Sequence, residues 1–175
     1  MMHGRAVDCF IEGPSFDKAG NLYIVDIPFG RIFRIDPSGM FDVIADYDGE
    51  PNGLKIHADG RIFIADHKQG ILQLDPDTGT VTPALDRPRL ERFKGCNDLF
   101  FTADGTLYFT DQGQTGLHDP TGRLFRQRTD GALDIVLAEA HALTGQGVVS
   151  VVRVALVRAR LGIGMSAEVV VDERN

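Results

Sequence analysis

The sequence predicts an all-β fold made of repeated four-stranded units, a β-propeller that is incomplete here, with about three blades and an atypical tail. Three observations predict it. The phrase Ala19-Gly20-Asn21-Leu22-Tyr23-Ile24-Val25-Asp26 recurs as Asp59-Gly60-Arg61-Ile62-Phe63-Ile64-Ala65-Asp66 and as Asp104-Gly105-Thr106-Leu107-Tyr108-Phe109-Thr110-Asp111, each time with an Asp six residues after the Gly. The Gly-to-Gly intervals are 40 and 45 residues, within the ~40 to 45 expected of one four-stranded blade. Each unit also holds four short apolar runs separated by turn residues.

Within a unit, the repeated Gly supplies positive φ to a tight turn, and the β-branched and aromatic residues after it suit a pleated, half-buried strand. A third strand follows at Arg31 to Ile35, at Gly70 to Leu74 and at Gly122 to Arg126. In the first two units it closes on Asp36-Pro37 and Asp75-Pro76, where Pro ends the ladder because it has no N–H to donate. A fourth, outer strand is expected at Phe41 to Ala45, Val81 to Leu85 and Leu133 to Leu137. The blades are thus expected at 10–49, 50–94 and 95–140, within a partial propeller of residues 1–140. Past residue 140 the repeat stops and the composition shifts, so 141–175 is expected to be a divergent tail, a truncated or frame-shifted fourth blade.

Composition narrows the partners. The chain has 175 residues, 20 Gly, no Trp and a formal charge of −7, a balance that disfavours nucleic acid, whose phosphates call for Lys and Arg footprints. Arg153, Arg158 and Arg160 interrupt the apolar tail, which argues against a membrane span. The N-terminus has no apolar signal-like region, and Cys9 and Cys96 form no metal-type pair, so a cytoplasmic protein is expected.

Counting eight residues back from each repeated Gly lands on Glu12, Asn52 and Asn97. The three occupy one structural position, the start of the innermost strand of successive blades, so they form a ring at one mouth of the central channel. One carboxylate and two amide oxygens in a ring suit a hard cation such as Ca²⁺. The alternative reading is that Glu and Asn before Gly or Pro are turn residues bonding their own backbone. The repeated Asp26, Asp66 and Asp111 end strands before turns, and local capping is their expected role.

At these residues the chain resembles the gluconolactonase and senescence-marker-protein family, which includes regucalcin-like and luciferin-regenerating proteins. The resemblance is carried by Glu12-Gly13-Pro14, Pro51-Asn52-Gly53-Leu54, Leu74-Asp75-Pro76-Asp77-Thr78-Gly79, and Asn97-Asp98-Leu99 followed by Leu107 to Asp111, over residues 10 to 140. Gly95-Cys96-Asn97-Asp98 is also similar to the related diisopropylfluorophosphatase. The resemblance implies a six-bladed propeller with one divalent cation, Ca²⁺ or Zn²⁺, at the channel mouth, and hydrolysis of a lactone. It maps the metal-ligating Glu onto Glu12 and the first ligating Asn onto Asn97. Asn52 becomes a channel-lining or substrate contact, and Asp98, beside a ligand, a supporting carboxylate or base. The family's second Asn and its Asp should come from beyond residue 140; Gln146 is the candidate stand-in there, and no matching Asp follows. Where some members carry a substrate-binding Arg this chain has Gly95, with Lys94 beside it as the candidate substrate contact.

Other chemistries find no local signature. His3, His57, His67, His118 and His141 show no zinc-like spacing and are expected to be surface or turn histidines. There is no phosphate-cradling Gly loop and no Gly-x-Ser-x-Gly elbow. The competing expectation is a non-catalytic propeller fragment or binding module that pairs as a homodimer, because three blades cannot close a ring.

Overall fold

A computed structural model of the chain describes residues 9–114 and 121–140. The tail 141–175, and with it Gln146, lies outside the described residues. Twelve strands form three separate four-stranded sheets, each in simple antiparallel order. Blade 1 comprises β1 (Ile11–Phe16), β2 (Leu22–Asp26), β3 (Arg31–Ile35) and β4 (Phe41–Asp46). Blade 2 comprises β5 (Pro51–Ile56), β6 (Ile62–Asp66), β7 (Gly70–Leu74) and β8 (Val81–Leu85). Blade 3 comprises β9 (Cys96–Phe101), β10 (Leu107–Asp111), β11 (Gly122–Gln127) and β12 (Leu133–Ala140). The fold is that of consecutive propeller blades, all-β as the repeat predicts.

The repeated Gly does what its spacing implies. Gly20, Gly60 and Gly105 have φ of 87°, 98° and 85°, and their N–H groups donate to the carbonyls of Asp17, His57 and Thr102 to close the first hairpin of each blade. Asp17 braces its turn further by accepting from the Ala19 and Asn21 N–H groups. The Asp-Pro turns work similarly, with Asp36 accepting from Ser38 N–H and Asp75 from Asp77 N–H.

Packing between blades follows from a period of two. In β6, Ile62 and Ile64 join Tyr23, Val25, Ile32 and Leu54 in the seam between blades 1 and 2. The alternate residues, Phe63 and Ala65, face the other way and join Leu99, Leu107, Phe109 and Phe125 between blades 2 and 3. A strand buried on both faces has to be apolar throughout, which is why β6 reads as an unbroken apolar run before its Asp. Phe109 and Phe125 stack with centroids 5.3 Å apart, and Phe93 meets both edge-on at 5.2 and 5.3 Å.

The innermost strands β1, β5 and β9 lie against one another, and glycine makes that approach possible. A Cβ on Gly13 would sit 2.7 Å from the Leu54 nitrogen, and one on Gly53 would sit 2.8 Å from the Asn97 carbonyl oxygen. The register of all three strands slips at this level, between Glu12 and Ser15, between Pro51 and Gly53, and opposite Phe109 and Asp111 at Asn97-Asp98. Such bulges re-aim side chains where a ladder would otherwise fix them. Among the described residues no helix is long and apolar enough to cross a membrane.

Candidate functional site

Glu12, Asn52 and Asn97 are each the second residue of an innermost strand. All three line one cavity of about 480 Å³, together with Asp98. None of the three side chains makes a hydrogen bond or ion pair with another described residue, whereas the turn reading would have tied each to its own backbone. The ladder is irregular at Asn52 and at Asn97-Asp98, and directly after Glu12, which itself pairs with Val25.

Asp98 is exposed at the same mouth. Its N–H donates to Thr110 Oγ1 at 3.0 Å, and its Oδ1 accepts the Leu99 N–H at 2.8 Å. Oδ2 accepts no hydrogen bond from another described residue, and Asp98 is among the residues that line the cavity. Lys94, by contrast, is not among the lining residues: its Nζ donates to the Thr121 carbonyl at 3.2 Å. Its Cβ lies against Gly113, so the stem is directed toward the loop after β10.

Three lining residues escaped the sequence reading. Ile27, His67 and Gln112 each follow the repeated Asp by one residue and form a second ring around the cavity. His67, expected at the surface or in a turn, does lie in the turn after β6, half-buried with its ring against Gly95. The signal was present: the same ruler that aligns Glu12, Asn52 and Asn97 aligns these three as well. Glu50 and Lys55 complete the charged lining, with Glu50 3.5 Å from Lys68 Nζ.

The repeated aspartates are fully buried, and their bonds reach farther than a local cap. Asp26 Oδ1 accepts the Phe10 N–H at 3.0 Å and its Oδ2 the Arg31 Nη2 at 2.7 Å. Asp66 Oδ2 accepts the Tyr47 hydroxyl and the Glu50 N–H, both at 2.9 Å, while Oδ1 caps the turn through Lys68 and Gln69 N–H at 2.8 Å. Asp111 Oδ1 accepts the Gly95 N–H at 2.8 Å, and Oδ2 takes Arg123 Nη2 at 2.6 Å and Nε at 3.1 Å. Local capping therefore holds for Asp66 alongside two longer-range bonds, and all three carboxylates accept a backbone N–H from 16 residues away.

Two ionisable neighbours respond to this environment. Burial, followed by the Asp111 and Asp66 charges, pushes the Cys96 thiol well up, which leaves it inert as a nucleophile. Burial and then the Asp66 charge raise Tyr47 far above its ordinary value of 10.0. With the folded-state pKa raised, this contribution to stability is complete below pH 10 and is lost as pH rises further, because the unfolded chain ionises first. Urea unfolding between pH 9 and 11 should show wild type losing up to about 1.4 kcal/mol per pH unit more than Tyr47→Phe above pH 10; parallel profiles would refute it.

The donor set can be tested against a cation. Among the described residues no group of three or more His, Cys, Asp or Glu side chains could hold a metal ion. As possible ligand atoms the rim residues offer one carboxylate and two amide oxygens, none with a partner among the described residues. That fits a hard cation in kind and supplies part of the ~6 to 8 oxygens that Ca²⁺ takes.

Consecutive four-stranded antiparallel blades with a polar cavity at the start of their innermost strands define the β-propeller class. Residues 10–149 match the model of the SMP-30/gluconolactonase/LRE-like region, and the chain belongs to that family. It is similar to a gluconolactonase of Zymomonas mobilis, 34% identical over 150 residues that cover 73% of this chain and 42% of that protein. It is also similar to the diisopropyl-fluorophosphatase of Loligo vulgaris, 35% identical over 113 residues covering 57% and 36%. Among solved structures, a gluconolactonase from Xanthomonas campestris superposes with a TM-score of 0.66 at 22% identity, covering 74% of this chain and 48% of that one. A calcium-binding protein, regucalcin, from Agrobacterium tumefaciens gives 0.58 at 22%, covering 74% and 43%. These two structures establish the fold, and the chain spans less than half the length of the relatives it matches.

Proposed function

We propose that the chain carries part of a metal-dependent hydrolase site that opens a lactone ring, and that its activity in isolation is feeble. The observation that carries this reading is the set of unpartnered rim oxygens: Glu12, Asn52 and Asn97 line one cavity with Asp98 beside them. Relatives named as gluconolactonase and lactonase support the substrate class. Glu12 and Asn97 would hold a divalent cation, Ca²⁺ or Zn²⁺, and Gln146 would add an amide oxygen. Polarisation of the lactone carbonyl is the chemistry such a cation supplies when bound. Asp98 accepts a proton from the attacking water at Oδ2, its orientation held by the Oδ1 bond to Leu99 N–H. Asn52 orients the substrate by hydrogen bonding.

Calorimetric titration of the purified chain with Ca²⁺ and with Zn²⁺ tests the reading. Glu12→Gln should weaken binding by at least ~10-fold, because it removes the only carboxylate proposed as a ligand. Binding indifferent to that substitution, or none at all, would favour a non-catalytic fragment, and robust turnover of a simple sugar lactone would overturn the claim of feeble activity. A second reading, pairing of two copies, is favoured by the exposed Phe16, Met40, Phe41 and Val43 of blade 1 and Ile135 and Val136 of blade 3. Sedimentation separates the two, since a clean monomer excludes the pair.

A further inference from the structure

We propose that Asp26, Asp66 and Asp111 are positioning residues of the candidate site, each fixing the backbone from which the rim residue of its own blade projects. The proposal rests on the rim being the ligand-binding site. One bond is common to all three: Phe10 N–H to Asp26, Glu50 N–H to Asp66 and Gly95 N–H to Asp111, at 3.0, 2.9 and 2.8 Å. Each donor stands two residues before a rim residue, namely Glu12, Asn52 and Asn97.

The remaining partners differ from blade to blade. Asp26 and Asp111 have an arginine, whereas Asp66 has a tyrosine and two turn amides. Charge pairing occurs in two blades and turn capping through Asp66 in one, whereas the amide two residues before the rim is the partner common to all three. The carbonyl of the same residue is held too, with Ile27 N–H donating to Phe10, His67 N–H to Glu50 and Gly113 N–H to Gly95, at 3.0, 2.9 and 3.2 Å. Both polar groups of that residue are thereby fixed.

The need for such a clamp lies in the bulges. β5 and β9 lose register at Asn52 and Asn97 and β1 directly after Glu12, so the ladder alone holds these rim positions less firmly than it holds a regular strand. Site geometry must hold to within about 0.5 Å. A charge-assisted bond from a fully buried carboxylate is stronger and shorter than a neutral one, and it acts on the residue immediately before each innermost strand begins.

Asp26→Asn, Asp66→Asn and Asp111→Asn in the full chain, read by amide hydrogen exchange and by Ca²⁺ titration, test this. Each variant should speed exchange about tenfold or more around its own rim residue while the other two rims stay protected. Asp26→Asn and Asp111→Asn should also weaken Ca²⁺ binding about tenfold, with Asp66→Asn leaving it unchanged because Asn52 is a substrate contact and not a ligand. Faster exchange spread through core strands β6 and β10, or an untouched rim, would overturn the proposal. Should a variant fail to fold, wild type still decides: the Phe10 amide must be protected although its side chain is 51% exposed, and exchange at the free-peptide rate would refute the clamp. If wild type binds no Ca²⁺ while exchange changes stay local, the clamp stands and the hydrolase reading falls.

Discussion

Arg123→Ala is expected to destabilise the protein by about 3 to 5 kcal/mol, the cost of stripping one partner from a buried ion pair. Asp111 is fully buried and Arg123 is 10% exposed, with a two-pronged contact of 2.6 and 3.1 Å between them. Removing the guanidinium leaves the Gly95 N–H as the one side-chain partner of Asp111 among the described residues, which is too little for a charge taken out of water. The outer Glu91, 67% exposed and 2.9 Å from Nη1, adds little, as surface pairs do. Urea unfolding of the two proteins checks the figure. A loss under about 1 kcal/mol would mean that the pair behaves as a surface bridge. Arg31→Ala, at a side chain 31% exposed, should cost less.

Gly53→Ala is expected to lower stability by about 1 to 3 kcal/mol, the usual cost of overpacking a close contact. It should also disturb the cavity more than any surface substitution would. The added methyl would lie 2.8 Å from the Asn97 oxygen and 2.9 Å from the Asp98 Cα. Both are backbone atoms of the facing strand, so no side-chain rotation relieves the clash and β5 must move away from β9. Because Asn97 and Asp98 ride on that strand, cation binding and stability should fall together. Thermal unfolding combined with Ca²⁺ titration checks this; a variant with wild-type melting temperature would show that the two strands have slack between them.

Much of the fold was legible because its information is local and repeated. The Gly of each hairpin, the Asp-Pro turns and the alternation in β6 set strand positions without reference to distant residues, and the outer strands begin where expected at Phe41, Val81 and Leu133. The shared cavity position of Glu12, Asn52 and Asn97 was legible by counting from the repeat, and that of Asp98 through the family resemblance. Lys94 could not be read that way, since its direction depends on Thr121 and Gly113 across a loop. His67 was hidden for another reason: zinc-like spacing is a poor test for a histidine whose place is set by the strand end that carries it. The far partners of the buried aspartates were equally out of reach, since the bond from Phe10 to Asp26 spans 16 residues.

The clamp before each rim residue is built from a buried Asp carboxylate and peptide groups, and the side chain two positions after the clamped residue takes no part in it. A duplicated unit therefore inherits the geometry of its mouth without inheriting its chemistry. One copy can carry a carboxylate at Glu12 and the next two an amide at Asn52 and Asn97, with the same frame beneath each. Divergence at these positions is decoupled from folding, so a lineage can revise what the mouth recognises one residue at a time.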